Sequence, residues 1–392
     1  YLDKSILTFM LDDVYQNYQV PFIFIIDEWD CIFRSRKNQL EEQTKYLDFL
    51  RDLLKDKGYI ALAYMTGILP IKKYGEHSAI NVFYEYSMTD ASPIEEFTGF
   101  TEQEVQQLCE QYNMPFSETK KWYDGYCVDG VSIYNPKSVV EAMLRGKFNN
   151  YWTKTETYEA LKVYIDLNQD GLRDKIIQMI AGEKVPVNPD KFQNDMTTFA
   201  SADDVLTLLV HLGYLTYDFD TCTVHIPNQE VQKEFINCIE DGGWEPVMDA
   251  IRKSEELLAA TIRGEEETVA RMIENAHQEN TSILAYNDEN SLACVIALAY
   301  YSAKKNYVVY RELAGGKGFA DLVFLPRKKF PEKPAIVVEL KWDKTAEGAI
   351  AQIKNKEYCR SLEEYEGNIL LVGVNYNKQT KEHECVIEEY VK

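Results

Sequence analysis

The sequence predicts a multidomain protein of the α/β class. Its 392 residues exceed the size of a typical single domain. Apolar residues make up 45% of the chain and aromatic residues 12%, which is enough for several packed cores. Helix-like and strand-like segments alternate near both ends of the chain, the pattern typical of α/β folds. No apolar run reaches the roughly 18 to 20 residues that span a bilayer, and no signal peptide opens the chain.

Residues 1–100 are predicted to form part of a parallel sheet. The pattern indicates helices at residues 2–18 and 39–57 and strands at 21–26 and 59–65. Strands that are apolar on both faces indicate a sheet covered on both sides. Because the chain begins with Tyr1 rather than Met, we expect it to be part of a longer protein.

Residues 101–245 are predicted to form a helical lid. Thr101 and Glu104 form a capping box at the start of a helix, and residues 122–136 have the composition of turns and short strands. From Asp203, a helix, a hairpin over residues 214–226 and a second helix resemble a winged helix. Its acidic surface favours an internal lid or partner surface over a DNA-reading head. Residues 246–281 continue as a helical connector, with a break predicted near Gly264.

Residues 282–392 are predicted to form a second α/β domain. The glycine-rich GGKG segment joins two strands, which indicates a hairpin turn rather than a phosphate cradle. The predicted order is helix 290–305, strands 307–312, 320–325 and 335–342, helix 345–361, and strands 368–374 and 385–390.

The charge of the chain is unevenly distributed. The net charge of −22 lies within residues 1–284, because residues 285–392 hold 16 basic and 16 acidic residues. This acidic balance argues against unspecific nucleic-acid binding. Residues 301–360 reverse it, with 13 basic against 7 acidic residues. A phosphate backbone would find a favourable field there, and a solvated loop is the alternative. The basic cluster consists of Arg327, Lys328, Lys329 and Lys333.

Cysteine and histidine usage excludes two classes of site. The eight cysteines include no C-x-x-C pair, which argues against a zinc ribbon and a disulfide-stapled secreted module and indicates the reducing cytoplasm. The five histidines never fall at H-x-x-x-H spacing, so no zinc site is predicted. Cys294 and Cys359 lie in apolar helical patterns and are predicted to be core residues.

The first candidate site is the strand FIFIIDEWD, residues 22–30. It places Asp27 and Glu28 at the carboxyl edge of a sheet, where the Asp of a nucleotide hydrolase holds Mg²⁺ and the Glu can orient water. The segment resembles the Walker B element of ATPases with an AAA-like core. No G-x-x-x-x-G-K-[ST] motif accompanies it, so we expect ATP as a cofactor only if a phosphate-binding loop lies upstream in a longer protein. The alternative is a strand end with two exposed acids.

The second candidate site combines Asp321 with the strand AIVVELKW, which carries Glu339 and Lys341. Two residues apart, Glu339 and Lys341 point to one face of their strand. If the strands pair, Asp321 joins them at one end of the sheet. Two carboxylates and a lysine suit phosphodiester cleavage assisted by Mg²⁺ or Mn²⁺. The alternative is a structural ion pair.

These segments resemble the PD-(D/E)XK nuclease superfamily, in particular the C-terminal domain of a bacterial family whose N-terminal half is AAA-ATPase-like. The resembling stretches are GGKGFADLVF, IVVELKW and AEGAIAQIKNKEY, and further signatures of that family extend over nearly the whole chain. The resemblance implies a truncated P-loop ATPase-like sheet, a winged-helix-like middle and a restriction-endonuclease-like C-terminal domain. It implies that Asp321 and Glu339 are metal ligands, Lys341 the catalytic lysine and Gln352 a supporting residue, with Glu289 as an acidic residue on the first helix. Ala320 stands where the superfamily name has proline.

The resulting hypothesis is a metal-dependent nuclease that cleaves DNA and is fused to an ATPase-like regulatory module. We expect this protein to bind DNA and to associate with further copies of itself. We expect no interaction with a membrane. Lys354 and Lys356 are expected either to contact phosphate or to form a solvated helix face. The alternative function is an ATP-switched signalling or DNA-binding protein whose nuclease-like domain does not cleave.

Overall fold

The fold is described from a computed structural model, which divides into two compact units. The first unit comprises Tyr1–Leu172 and Lys184–Glu234, and the second comprises Arg173–Glu183 and Phe235–Lys392. The domain boundaries expected from the sequence stay predictions. Within the described part of the chain, no helix has both the length and the apolar character needed to cross a membrane. The described residues are 4–35, 39–68, 83–128, 130–152, 161, 164–165, 169–192, 199, 201–241, 244–280, 289–315, 317–362, 365 and 367–390.

The first unit begins with a small parallel sheet. Helix α3 packs on it through Leu50, which belongs to an apolar cluster with Trp29, Ile26 and Met65. The elements are α1 (Lys4–Tyr18), β1 (Phe22–Ile26), α2 (Cys31–Ser35), α3 (Leu40–Leu54) and β2 (Ile60–Met65), with β1 and β2 paired in parallel.

The expectation that this sheet is covered on both faces is wrong for the described residues. Ile23 and Ile25 on β1 are 64% and 76% exposed, and Leu62 and Tyr64 on β2 are also exposed. These side chains share one face, because alternate residues of a strand point the same way. Only the opposite face is packed against α3.

The middle of the first unit is a three-stranded antiparallel sheet with three helices. The capping box is confirmed, because Thr101 Oγ1 accepts from the Glu104 amide and Glu104 Oε2 accepts from the Thr101 amide. Buried Tyr123 and Tyr134 lie in the core beneath these helices. The elements are β3 (Phe100–Thr101), α4 (Glu102–Tyr112), α5 (Phe116–Tyr123), β4 (Tyr126–Val128), β5 (Val131–Tyr134) and α6 (Pro136–Arg145), with sheet order β3-β5-β4.

The predicted helix–hairpin–helix segment is present. The hairpin strands are shorter than expected, and a third strand pairs with them to give the order β6-β8-β7. The elements are α7 (Leu172–Ala181), β6 (Val185–Pro186), α8 (Ala202–His211), β7 (Thr216–Asp218), β8 (Thr223–His225) and α9 (Gln229–Asp241). Helix α7, except for Leu172, belongs to the second unit.

The second unit is built around a five-stranded mixed sheet of order β13-β12-β11-β10-β9. Strands β11 and β12 are parallel, and the other neighbouring strands are antiparallel. The break between α10 and α11 lies at Gly264, which has a φ of +72°. The elements are α10 (Glu245–Ile262), α11 (Glu266–Asn280), α12 (Glu289–Ala299), β9 (Tyr307–Gly315), β10 (Gly318–Pro326), β11 (Ala335–Trp342), α13 (Ala346–Asn355), β12 (Ile369–Tyr376) and β13 (His383–Tyr390).

Two helices of the second unit end earlier than the sequence predicts. The helix expected over 290–305 ends at Ala299, and a 3₁₀ helix follows at Tyr301–Lys305. The helix expected over 345–361 ends at Asn355, before Glu357 with a φ of 57°. This left-handed conformation ends the helix and turns the chain. A 3₁₀ helix follows at Tyr358–Leu362.

Helix α13 packs closely on one face of the sheet. Its Ile350 and Ile353 lie in a buried cluster with Val337 of β11 and Leu371 of β12. A Cβ atom at Gly373 would lie 2.3 Å from the Ala346 carbonyl oxygen, so glycine is required for this close approach. Gly373 is the neighbour of Glu339 in the parallel pairing of β11 and β12.

Candidate active site at the end of the C-terminal sheet

Asp321 lies where β10 separates from β11. The two strands pair from Leu322 with Val338 to Phe324 with Ile336, and continuing this register places Asp321 opposite Glu339. Instead of a backbone pair at this level, Asp321 Oδ2 accepts a hydrogen bond of 2.7 Å from the Leu340 amide. The carboxylate therefore joins the two strands at the point where they diverge.

Glu339 and Lys341 form a buried ion pair beside Asp321. Both side chains point to the face of β11 that α13 covers, as the alternation of strand side chains predicts. Lys341 Nζ lies 2.7 Å from Glu339 Oε1, and the two side chains are only 7% and 2% exposed. An isolated buried charge is costly, and here each charged group lies beside a group of opposite charge.

Gln352 reaches Glu339 from helix α13. Its Nε2 donates to Glu339 Oε1 and also donates to the Tyr358 hydroxyl at 3.0 Å. The predicted grouping of Glu339, Lys341 and Gln352 is therefore present. The close packing of α13 on Gly373 sets how near Gln352 can come to the carboxylate.

Tyr358 belongs to the site, although the sequence did not predict it. The side chain is 4% exposed. No motif or spacing in the sequence singles this tyrosine out. Burial raises the pKa of Tyr358, the Gln352 hydrogen bond lowers it, and the nearby Glu339 and Asp321 charges raise it further. The run QIKNKEY, which contains both Gln352 and Tyr358, could have indicated their contact. On a continuous helix, however, Tyr358 would point away from Gln352.

Asn375 is a second residue that the sequence did not indicate. It pairs with Lys341 in the β11–β12 register and is 1% exposed. Its Oδ1 accepts from the Lys344 amide and its Nδ2 donates to the Lys344 carbonyl, both at 3.0 Å. The side chain thereby fixes the loop that connects Lys341 to α13.

The remaining predicted residues are placed as follows. Glu289 is the first residue of α12, and its side chain lies outside the described residues. Lys354 forms an ion pair with Glu388 on β13, which favours a structural role over phosphate contact. Lys356 is exposed at the end of α13.

The basic cluster lies far from these residues. Its loop connects the end of β10 to the start of β11, whereas Glu339 and Lys341 lie near the end of β11. At about 3.3 Å per residue, the four residues from Ala335 to Glu339 span about 13 Å. Arg327 itself donates to the Lys304 carbonyl at 2.7 Å. The solvated-loop alternative is therefore favoured, with a part in chain packing for Arg327.

The Asp27–Glu28 site has a different character. Both side chains are exposed at the end of β1, and Glu28 has a φ of 50°. Asp27 Oδ1 accepts from the Glu28 amide at 3.0 Å and from Thr66 Oγ1 on the neighbouring loop. Asp30 is the fully buried acid of this segment, with Oδ2 accepting from the Ile68 amide at 3.2 Å. Asp27 and Glu28 as nucleotide-binding residues stay a prediction.

The donor set at the sheet end fits a hard divalent cation. Asp321 and Glu339 offer carboxylate oxygens, and Mg²⁺ is commonly held by one or two carboxylates together with several waters. Within the described residues, no three His, Cys, Asp or Glu side chains are grouped to hold a metal ion.

The two buried histidines of the second unit, His277 and His383, lie next to each other. His277 Nδ1 and His383 Nε2 hydrogen-bond to each other at 3.1 Å. Burial lowers the pKa of His277 to about 4 and that of His383 to about 3, so both rings are neutral near pH 7. Cys294 and Cys359 are buried, as predicted for core residues.

Comparison with known proteins supports the interpretation of the C-terminal residues as a nuclease-like domain. Residues 287–386 match the family model of the PD-(D/E)XK nuclease superfamily. This match indicates a nuclease domain and agrees with the mixed sheet of the second unit. The ATPase-like interpretation of residues 1–100 lies outside the matched range and stays a prediction.

A curated relative adds a second similarity. The chain is 26% identical over 141 residues to the "Uncharacterized protein in vnfD 5'region" of Azotobacter chroococcum mcd 1. The alignment covers 34% of this chain and 27% of the relative, so the chain spans about a quarter of the length of that protein.

Proposed function

We propose that the second unit is a divalent-metal-dependent nuclease that hydrolyses phosphodiester bonds of DNA. The observation that carries the proposal is the buried Glu339–Lys341 ion pair next to Asp321 at the end of the sheet. A buried acid and amine on otherwise apolar strands are costly to keep, and a catalytic role accounts for their presence.

Asp321 and Glu339 would hold the cation, and each is already held in place by the fold. The Leu340 amide orients the Asp321 carboxylate, and Gln352 and Lys341 orient that of Glu339. When bound, a divalent ion supplies polarisation of the phosphate and a lowered pKa of water. Lys341 Nζ, fixed on the same strand face, would stabilise the charge that develops on the phosphate oxygens.

The reaction is hydrolysis and needs no other reactant than water. The oxygen of a water molecule forms a bond to phosphorus, and one ester P–O bond breaks. The attacking water loses a proton, and the leaving oxygen gains one. The ammonium of Lys341 lies 2.7 Å from Glu339 Oε1, beside a carboxylate that would hold the cation.

The test is cleavage of plasmid and oligonucleotide DNA with Mg²⁺ or Mn²⁺. Asp321→Asn and Lys341→Met are compared with Glu347→Gln, which alters an exposed acid on α13 outside the site. We expect the unaltered chain and Glu347→Gln to cleave, and the two site variants to be at least about 100-fold slower. EDTA should abolish cleavage. Equal rates in all four proteins would overturn the assignment.

A second candidate function is a DNA-binding or signalling protein with a nuclease-like domain that does not cleave. The observation that favours it is that the Glu339 carboxylate already has Lys341 and Gln352 as partners. A gel-shift measurement that finds tight DNA binding, together with no cleavage at any metal concentration, would select it.

For residues 1–100 we propose an ATPase-like regulatory module that does not itself bind nucleotide in this chain. The support is a carboxylate at a parallel-strand end, Asp27, without a phosphate-binding loop in the sequence. Isothermal titration with ATP and Mg²⁺ is expected to show no binding. Micromolar affinity would contradict the proposal.

A further inference from the structure

We propose that Tyr358 is a positioning residue of the nuclease site, which acts through Gln352 on the Glu339 carboxylate. The inference rests on the proposed function and deepens it, because it adds a residue that orients a proposed metal ligand. The carrying observation is that one amide nitrogen, Gln352 Nε2, donates to both the Glu339 carboxylate and the Tyr358 hydroxyl.

The two hydrogen bonds together fix the amide group. The Nε2 of Gln has two hydrogens, so each acceptor can take one of them. With both acceptors in place, rotation of the amide about its last side-chain bond would break two bonds at once. The carboxylate of Glu339 is then held by a donor that is itself held, in addition to Lys341 on its own strand.

The ring of Tyr358 is confined by its surroundings. The side chain is 4% exposed and belongs to the apolar cluster beneath α13. A Cβ atom at Gly318 would lie 3.0 Å from Cε1 and 3.2 Å from the hydroxyl oxygen of Tyr358, so the glycine lies in close contact with the ring. The Lys317 amide donates to the Lys356 carbonyl at 2.8 Å, which ties the β9–β10 turn to the chain just before the ring.

Tyr358 is placed here by the early end of α13. The left-handed Glu357 ends the helical path, and the following 3₁₀ helix carries the phenol back toward Gln352. The same turn brings the hydroxyl within the electrostatic range of Asp321, Glu339 and Lys341. The left-handed turn of the backbone and the hydrogen bond of the phenol therefore act together to place Tyr358 beside Gln352.

The decisive variant is Tyr358→Phe, which keeps the ring and removes the hydroxyl. Residues that orient metal ligands typically contribute about 10- to 100-fold in activity or metal affinity. We expect kcat for Mn²⁺-dependent DNA cleavage to fall about 10-fold or more, with KM for DNA unchanged.

Tyr307→Phe is the matched control. Tyr307 is 0% exposed at the start of β9, and its hydroxyl has no hydrogen-bond partner among the described residues. Its loss should change kcat less than twofold. Both variants should unfold within about 2 °C of the unaltered chain. An equal effect of the two substitutions on kcat would overturn the inference.

A double-mutant cycle separates positioning from packing. If Tyr358 acts through Gln352, the chain with both Tyr358→Phe and Gln352→Ala should be as slow as Gln352→Ala alone. The reason is that Gln352→Ala already removes the amide that joins Tyr358 to Glu339. Additive losses in kcat would show that the hydroxyl acts independently of Gln352 and would overturn the proposed route.

The inference and the proposed function can fail separately. If the unaltered chain cleaves DNA and Tyr358→Phe behaves like Tyr307→Phe, only the inference fails. If the unaltered chain does not cleave, titration with Mn²⁺ still tests the inference, with at least about tenfold weaker binding expected for Tyr358→Phe. Equal Mn²⁺ affinity, or no Mn²⁺ binding by the unaltered chain, would overturn it.

Discussion

The chain carries two groups of acids at the ends of strands, and these groups differ in their exposure and in their hydrogen-bond partners. Asp27 and Glu28 are exposed at the end of a two-stranded sheet, with backbone and hydroxyl donors beside Asp27. Glu339 is 2% exposed and is held by an amine and an amide from two different elements.

The difference teaches what distinguishes a built site from a strand end. Both sequences, IIDEWD and VVELKW, place acids after an apolar run. Only at the second does the neighbouring sequence supply a cation two residues away and a helix that returns an amide to the carboxylate. Desolvation with a specific charge partner is the property that marks functional carboxylates.

The largest expected effect compares one acid from each group. Glu339→Gln should lower DNA cleavage by at least about 100-fold, because a neutral amide is a weak ligand for a hard cation and leaves Lys341 without its counter-charge. Asp27→Asn should change the rate less than twofold. The measurement is kcat with Mn²⁺ on one oligonucleotide. Comparable losses in both variants would remove the distinction between the sites.

The next effect is on stability. Lys341→Met leaves the Glu339 charge buried without its ammonium, and breaking such a pair typically costs about 3–5 kcal/mol. Lys45→Met breaks the exposed Lys45–Glu41 pair, in which the side chains are 64% and 82% exposed, and should leave the unfolding midpoint unchanged. Urea unfolding followed by far-UV circular dichroism measures both. Identical midpoints would indicate that the Glu339–Lys341 pair is solvated.

A smaller effect is expected from the helix that covers the second site. Gly373→Ala forces α13 away from the sheet, and overpacking of this kind costs about 1–3 kcal/mol. Cleavage should fall as well, because Gln352 moves with the helix. Gly58→Ala is the control, since its Cβ atom would meet only Tyr15 at an ordinary 3.6 Å. Full activity of Gly373→Ala would show that the distance of α13 is unimportant.

The smallest effects concern surface cations. The exposed Lys356 lies two residues before Tyr358, whereas Lys328 and Lys329 lie in the loop at the opposite end of the β10–β11 hairpin. Lys356→Ala should reduce the salt dependence of DNA binding by about one phosphate contact. The variant with both Lys328→Ala and Lys329→Ala should leave it unchanged. A reversed result would move the DNA path to the far end of the sheet.

Periodicity predicted the parts of the second unit that follow from local pattern. The strand alternation that puts Glu339 and Lys341 on one face is present, and so is the hairpin at GGKG, with Gly315 paired to Gly318. The position of the basic cluster was also available in principle. An antiparallel hairpin that begins at Asp321 and ends at Lys341 must carry its loop at the other end.

The rest depended on conformations that residue type does not announce. Glu357 adopts a left-handed conformation that is uncommon for any residue other than glycine, so the end of α13 and the placement of Tyr358 were not predictable. Asn375 gave no signal either, because its bonds join a loop that is distant in sequence. Roles that arise from tertiary contacts need the fold.

The assignment of α7 to the second unit has a practical consequence for anyone who excises the nuclease. Arg311 on β9 is ion-paired with Glu183 at 2.5 Å, and Lys304 donates to the Ile180 carbonyl at 3.2 Å. A fragment cut at residue 282 would discard these partners and the fully buried Ile176 and Ile177. Expression trials should therefore keep the intact polypeptide, because the second unit is discontinuous in sequence and residues 184–234 lie between its two segments.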